Sequence, residues 1–336
     1  MPAFEQLSQR AQVARLRPTA QGALRAYGLE VTQLRLLNHG FNTTFRVDTA
    51  TGTRFALRLN VNSRRSPGQV AAEMAWLDAL SRDTALQVPA PQTTKDGQRL
   101  QHVWNEALGR ELPAALFSWL PGRVLGARAT AGQLREVGRA TAALHQHARH
   151  WTLPAGAELH SLRDPLMGMP DHLDDDHEHL TPEGREVVRE VLRRVHAELD
   201  RLYAAERPRA LHADLHLWNV HWHRGQLSVF DFDDCALGLP VQDLTISAYY
   251  LRPKGGLERA LLDGYAEVAP LPAFSQVTYE TLVAGRGVVL LNDVLVNTTA
   301  SIRALLPRYV PNAVTKLRHF LDHGEFRHDL PGLLQG

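Results

Sequence analysis

Residues 211–222 read LHADLHLWNVHW, and VFDFDD follows at 229–234. Two chemistries compete for these side chains. His212 and His216 could hold zinc, with Asp214 as the carboxylate of a metallohydrolase and His221 and His223 alternating as ligands on one strand face. Alternatively, Asp214, Asn219 and Asp231 offer hard oxygen atoms, a donor set suited to Mg2+, which shares its shell with waters and phosphate oxygens. Phosphoryl transfer uses such a set: an amide and a carboxylate on the metal, and a separate carboxylate beside the acceptor. The zinc reading leaves Asn219 and the acidic run unexplained.

Local elements must bring these groups together. The apolar segments on either side of HRGQ (223–226) read as a β-hairpin around Gly225. With the turn centred there, Asn219 faces Asp231 within about one residue of register, and Asp214 lies in the loop just before the hairpin.

The hairpin stands in a largely helical stretch. Helical spacing runs on from Thr130, and Thr-Pro-Glu at 181 starts a further helix to 206. Residues 276–323 are also helical in pattern. The first third differs. EVTQLRLLN (30–38), TTFRVDT (43–49) and RFALRLN (54–60) alternate like an antiparallel meander. Ser66 and Pro67 open a helix to 82, and Asp96-Gly97 marks a turn, with RLQHVWN and ELPAALFSWL as strands. The class is therefore α+β, with a sheet-rich region over 1–118 and a larger, mainly helical region over 119–336.

The paired spacing H212-x-D214-x-x-x-x-N219 and D231-x-D233 resembles the catalytic and metal loops of the phosphotransferase enzyme family. That family has a bilobal protein-kinase-like fold and includes aminoglycoside phosphotransferases, choline kinases and type II homoserine kinases. DFDDCALGLPVQDL (231–244) is most similar to its bacterial stress-response kinase subgroup. The resemblance implies an N-terminal nucleotide-binding lobe, a C-terminal catalytic and substrate-binding lobe, and ATP and Mg2+ as cofactors.

The resemblance also implies roles. Asp214 would orient and partly deprotonate an acceptor hydroxyl, His212 would brace the loop, and Asn219 and Asp231 would hold Mg2+. Asp243 would tie down the catalytic-loop backbone. Gly40, Phe41, Asn42 and Thr43, in NHGFNTT, would cover the phosphates. Arg58, in FALR, stands where relatives place a phosphate-binding lysine, with Glu73 as its ion-pair partner. Ser118, Trp119 and Leu120, in FSWLPG, would hold the adenine by their backbone. Arginine for lysine is a departure, because a planar fork replaces a compact point charge. The implied reaction moves the γ-phosphoryl group of ATP to a hydroxyl of a small molecule. A Ser/Thr protein kinase and a catalytically idle nucleotide-binding pseudokinase are the alternatives.

The remaining features narrow the setting. The chain has 336 residues, 44% hydrophobic and 22% charged, with a formal charge of +1, so no global field draws it to nucleic acid or an anionic membrane. Lysine occurs only at Lys95, Lys254 and Lys316, which leaves arginine as nearly the whole basic complement. Cys235 is the single cysteine, which excludes an intrachain disulfide. No run approaches the roughly 18 apolar residues of a membrane span. The N-terminus lacks the apolar core of a signal peptide. A soluble, cytoplasmic protein is expected. Asp233 reads as a second metal ligand or a loop hydrogen-bonding residue. DHLDDDHEHL (171–180) reads as a solvated loop or as an acidic lip for a cationic acceptor.

Overall fold

The computed structural model describes residues 4–40, 42–61, 65–253, 255–297 and 300–334. It separates into two compact units, Met1–Pro121 with Leu153–Ala157, and Gly122–Thr152 with Glu158–Gly336.

Ser8 caps α1 (Gln9–Arg25) at the start of the first unit. Val13, Leu16, Ala20, Ala23 and Leu24 recur at helical spacing and are buried. The sheet-rich reading of this region, with its one helix over 66–82, omits α1, whose period is masked by an otherwise polar surface and by Pro18 inside the helix. β1 (Val31–His39), β2 (Asn42–Thr49) and β3 (Arg54–Asn60) form the meander. α2 (Pro67–Asp83) follows from a reciprocal cap: Ser66 Oγ accepts from the Gln69 N–H, and Gln69 Oε1 accepts from the Ser66 N–H. β4 (Gln101–Asn105) and β5 (Arg110–Ser118) complete an antiparallel sheet in the order β1-β2-β3-β5-β4. The Asp96-Gly97 turn precedes β4; the β4–β5 hairpin closes over 106–109 instead. Phe45, Val47, Leu57, Leu59, Leu112 and Leu116 meet α1 in the apolar core of this unit.

The second unit opens with β6 (Arg123–Val124) and α3 (Ala131–Ala148), the latter capped by Thr130 and Gln133. α4 (Pro182–Ala205) starts at the predicted Thr181-Pro182 signal. Then come β7 (Arg209–Leu211), β8 (Val220–His223), β9 (Gln226–Val229) and β10 (Ala236–Gly238). β8 pairs with β6 and β9, and β7 with β10. α5 (Pro240–Leu251), α6 (Leu257–Ala266), α7 (Gln276–Leu295), α8 (Ala300–Arg303) and α9 (Leu306–His323) complete the unit. Val188, Val191, Val283, Val288, Leu291 and Val310 lie in the core joining α4, α7 and α9.

Two glycines set one helix contact that matters for the site. A Cβ on Gly138 of α3 would lie 2.0 Å from the Leu261 carbonyl, and one on Gly264 of α6 would lie 2.0 Å from the Arg135 carbonyl. Glycine inside a helix costs about 1 kcal/mol relative to alanine; here it lets two backbones touch. That contact brings His145 of α3 against Tyr265 of α6. Among the described residues, no helix is long and apolar enough to cross a membrane.

Candidate active site

The loop between β7 and β8 carries the first motif, and its backbone is held from below by α5. Asp243 accepts from the His212 N–H (3.1 Å) through one oxygen and from the Ala213 N–H (2.7 Å) through the other. One helical turn on, the Ser247 hydroxyl donates to the Leu215 carbonyl at 2.5 Å. Asp243 is itself fixed by His145 Nε2 at 3.0 Å, and His145 Nδ1 meets the Tyr265 hydroxyl at 3.0 Å. All three groups are buried. The arrangement holds Ala213 at φ +65°, a left-handed conformation that only an over-determined loop sustains.

His212 is fully buried, and burial lowers its pKa below the ordinary histidine value. Its neutral ring donates through Nε2 to the Phe230 carbonyl (3.0 Å) and accepts the Asp214 N–H at Nδ1 (3.3 Å). His212 thus ties the loop to the strand that leads to Asp231. His216 accepts the Trp218 N–H at Nδ1 and faces Asp214 Oδ2 through Nε2 at 3.3 Å. Both rings spend both nitrogens on these contacts, so the zinc reading of His212 and His216 fails on their hydrogen bonding.

The β8–β9 hairpin turns on Arg224 and Gly225, at φ +49° and +84°. Two consecutive positive φ values make a tight two-residue turn. It pairs His223 with Gln226 and Val220 with Val229. Asn219 therefore stands opposite Phe230, whose N–H donates to the Asn219 carbonyl at 3.0 Å, and Asp231 comes one residue later. The predicted register is met within its one-residue margin. Asp231 is exposed at φ +67°, where a non-glycine residue is uncommon. Asn219 is buried, and its Nδ2 donates to the Asp214 carbonyl (2.9 Å) and to Asp214 Oδ2 (3.1 Å). With the nitrogen committed twice, Oδ1 is the hard donor atom left for a cation. Oδ1 of Asn219 and the Asp231 carboxylate fit the oxygen preference of Mg2+.

Asp214 collects contacts from several elements. Besides Asn219 and His216, its Oδ1 accepts from Nη2 of Arg286, on α7, at 2.5 Å. The same nitrogen reaches the Tyr250 hydroxyl at 2.8 Å, and the guanidinium lies over the Tyr250 ring, 5.5 Å from its centroid. Burial pushes the Asp214 carboxyl up, but the Arg286 guanidinium and then His216 pull harder, and the net displacement is below the usual carboxylate range. The His216 ring also packs on Tyr250, and the exposed Trp218 stands beside both.

The remaining predicted residues lie in the first unit. Arg58 and Glu73 form a buried bidentate pair, Nη1–Oε1 2.7 Å and Nη2–Oε2 2.5 Å. Arg58 Nε donates to Asn60 Oδ1 at 3.1 Å, and the guanidinium lies over the Phe117 ring. The predicted polar loop is a β-hairpin tip, with the Gly40 N–H bonded to the Asn42 carbonyl. Thr43 is fully buried, its hydroxyl 2.7 Å from His39 Nδ1, so that side chain is occupied within the hairpin. Phe41 lies outside the described residues. Ser118 ends β5, with its Oγ accepting the Ala90 N–H and its own N–H donating to the Ala90 carbonyl. Trp119 and Leu120 continue half-buried beyond it.

Asp233 and Asp234 lie half-buried in the turn before β10. In the acidic stretch, Asp174 pairs with Arg189 and Asp176 with Arg185, both on α4, while Asp175 pairs with His172. That segment is a surface loop in which arginines of α4 offset two of its five acidic side chains.

The fold and site define a protein-kinase-like phosphotransferase architecture. The chain belongs to the phosphotransferase enzyme family, whose model matches residues 33–274. Amicoumacin kinase of Bacillus subtilis (strain 168) is 25% identical over 233 residues, which spans 68% of this chain and 66% of that relative's length. Among solved structures, a microcompartment-associated aminopropanol kinase aligns with a TM-score of 0.79 at 24% identity, covering 93% of this chain and all of its own. The amicoumacin kinase hAmiN, solved with AMP-PNP, Ca2+ and Ami, aligns at 0.73 and 20% identity, over 92% of this chain and 96% of its own.

Arg286, Tyr250 and His145 carry no motif, and sequence reasoning missed them. One signal was available for Arg286: it is the only charge in the otherwise uncharged run TLVAGRGVVLL (281–291).

Proposed function

We propose that this protein is an ATP- and Mg2+-dependent kinase that phosphorylates a hydroxyl of a small molecule. One observation carries the reading. Asp214 is an ionised, partly exposed carboxylate, oriented on three sides by Arg286, Asn219 and His216, on a loop locked to α5. An ionised, oriented carboxylate beside a metal-ready amide oxygen is what a phosphoryl-transfer site needs on its acceptor side.

In this reading the acceptor hydroxyl donates its hydrogen bond to Asp214. Its oxygen attacks the γ-phosphorus, the bond from that phosphorus to the bridging oxygen of ADP breaks, and the hydroxyl proton passes to the carboxylate. A low pKa makes Asp214 a weak base, so its contribution is chiefly orientation, in keeping with the loose transition state of such reactions. Asn219 Oδ1 and Asp231 would hold Mg2+, which neutralises charge on the phosphate oxygens when bound. The first unit would take the nucleotide. Arg58, presented by Glu73, would reach the phosphates; Gly40, Phe41 and Asn42 would cover them, with the buried Thr43 bracing the hairpin behind them; and the backbone of Ser118, Trp119 and Leu120 would take the adenine. The second unit would take the acceptor, with Trp218 and Tyr250 as aromatic walls beside Asp214.

The named relatives act on small molecules, which favours such an acceptor here, an amino alcohol among the first to try. The test is Mg2+-dependent ADP release over aminopropanol, homoserine, choline, aminoglycosides and a basic protein. Release that depends on one of the small acceptors supports the reading. Release that depends only on the protein would overturn it.

A further inference from the structure

The second unit holds a cavity of about 400 Å3 away from the loop motifs, between α9, the start of α7's second half and the C-terminal segment. Its volume is in the range of small-ligand pockets. Arg308, Asn312 and Lys316 recur every four residues and stand in a row along one face of α9 on its wall. Asn312 is bonded both ways to the backbone of Leu334, which pins the C-terminal segment across one side. Leu317 and Phe326 give the cavity an apolar floor.

The charges on this wall are unbalanced. The Arg308 guanidinium makes no ion pair or hydrogen bond among the described residues, and the Lys316 ammonium meets only His328 Nδ1, at 3.4 Å. His328 donates through Nε2 to the Tyr249 carbonyl at 2.8 Å, so Nδ1 is an acceptor and the ring brings no negative charge. Burial lowers the pKa of Lys316 with no carboxylate opposing it. Two cations on one wall of a part-apolar cavity, with no carboxylate bonded to either, form a receptor for an anion.

We propose that this cavity binds a small organic anion, its carboxylate between Arg308 and Lys316 and its apolar body against Leu317 and Phe326. Tyr249, on the cavity wall, packs its ring against that of Tyr250, so the site lies one residue layer from the Asp214–Arg286 pair.

Fluorine NMR of the full chain with para-(trifluoromethyl)benzoate tests this, using para-(trifluoromethyl)benzyl alcohol as the uncharged counterpart. The benzoate should bind saturably and at least about tenfold more tightly than the alcohol. Arg308→Gln and Lys316→Gln should each weaken it about tenfold or more, the loss expected for a charge-assisted hydrogen bond. Arg308→Lys, which keeps the charge, should retain most of the binding, and Lys95→Gln, an exposed lysine of the first unit, should change nothing. Thermal melting of each variant separates lost binding from lost folding. Absent binding, equal affinity for the alcohol, or folded Gln variants that bind like the parent would overturn the proposal.

Discussion

Nη2 of Arg286 lies 2.5 Å from Oδ1 of Asp214, joining a buried arginine of α7 to the carboxylate of the loop between β7 and β8. The guanidinium holds the carboxylate in place and also sets its charge. Because the Asp214 pKa is depressed, the group is ionised through neutral pH, and activity that needs the carboxylate is lost only as pH falls through that depressed value. Arg286→Gln removes the largest downward pull and leaves burial pushing upward. The acid limb of kcat/KM should then rise by about one pH unit or more, the size of shift an adjacent opposite charge produces. A pH–rate profile checks this, and an unmoved acid limb would contradict it.

Asp243 should matter to stability rather than to chemistry alone. Asp243→Ala strands two buried backbone N–H groups and the His145 ring, and should cost about 3–5 kcal/mol. Asp243→Asn keeps an acceptor oxygen and should cost less. Urea unfolding measures both, and a loss below about 1 kcal/mol for the alanine variant would show that the loop is held by other contacts.

The Arg58–Glu73 pair is buried, so each partner depends on the other. Glu73→Leu alone leaves an uncompensated guanidinium and should destabilise the protein by about 3–5 kcal/mol. Arg58→Met with Glu73→Leu should cost less than Glu73→Leu alone, because no buried charge remains. A double-mutant cycle by chemical unfolding reads the coupling, and simple additivity would contradict it.

For the metal, Asp231→Asn and Asn219→Ala should each raise the Mg2+ concentration for half-maximal activity by about tenfold or more. Chelation with EDTA should abolish turnover, and restored Mg2+ should return it. Variants with unchanged Mg2+ dependence would remove Asn219 and Asp231 from the metal site.

Much of the site was legible because it is local in sequence. Asp214, Asn219 and Asp231 fall within 18 residues and are gathered by one hairpin, so spacing alone places them near each other. The one-residue register shift came from the turn, since positive φ at both Arg224 and Gly225 centres it between them and not on Gly225. The capped helices α2, α3 and α4 were visible for the same local reason. What was hidden is tertiary. Arg286 reaches Asp214 across 72 positions, and His145 reaches Asp243 across 98, with no periodic or motif signal to link them. α1 was hidden by Pro18 and a polar exposed face, although its buried positions are regularly spaced.

The most direct test of the account is the turnover of Asp214→Asn beside the parent chain, on one acceptor, with nucleotide affinity measured in parallel. If Asp214 positions the acceptor hydroxyl, kcat should fall by about 10²-fold or more, while ATP binds to within about threefold of the parent. Turnover close to that of the parent, with nucleotide binding intact, would place the acceptor chemistry elsewhere.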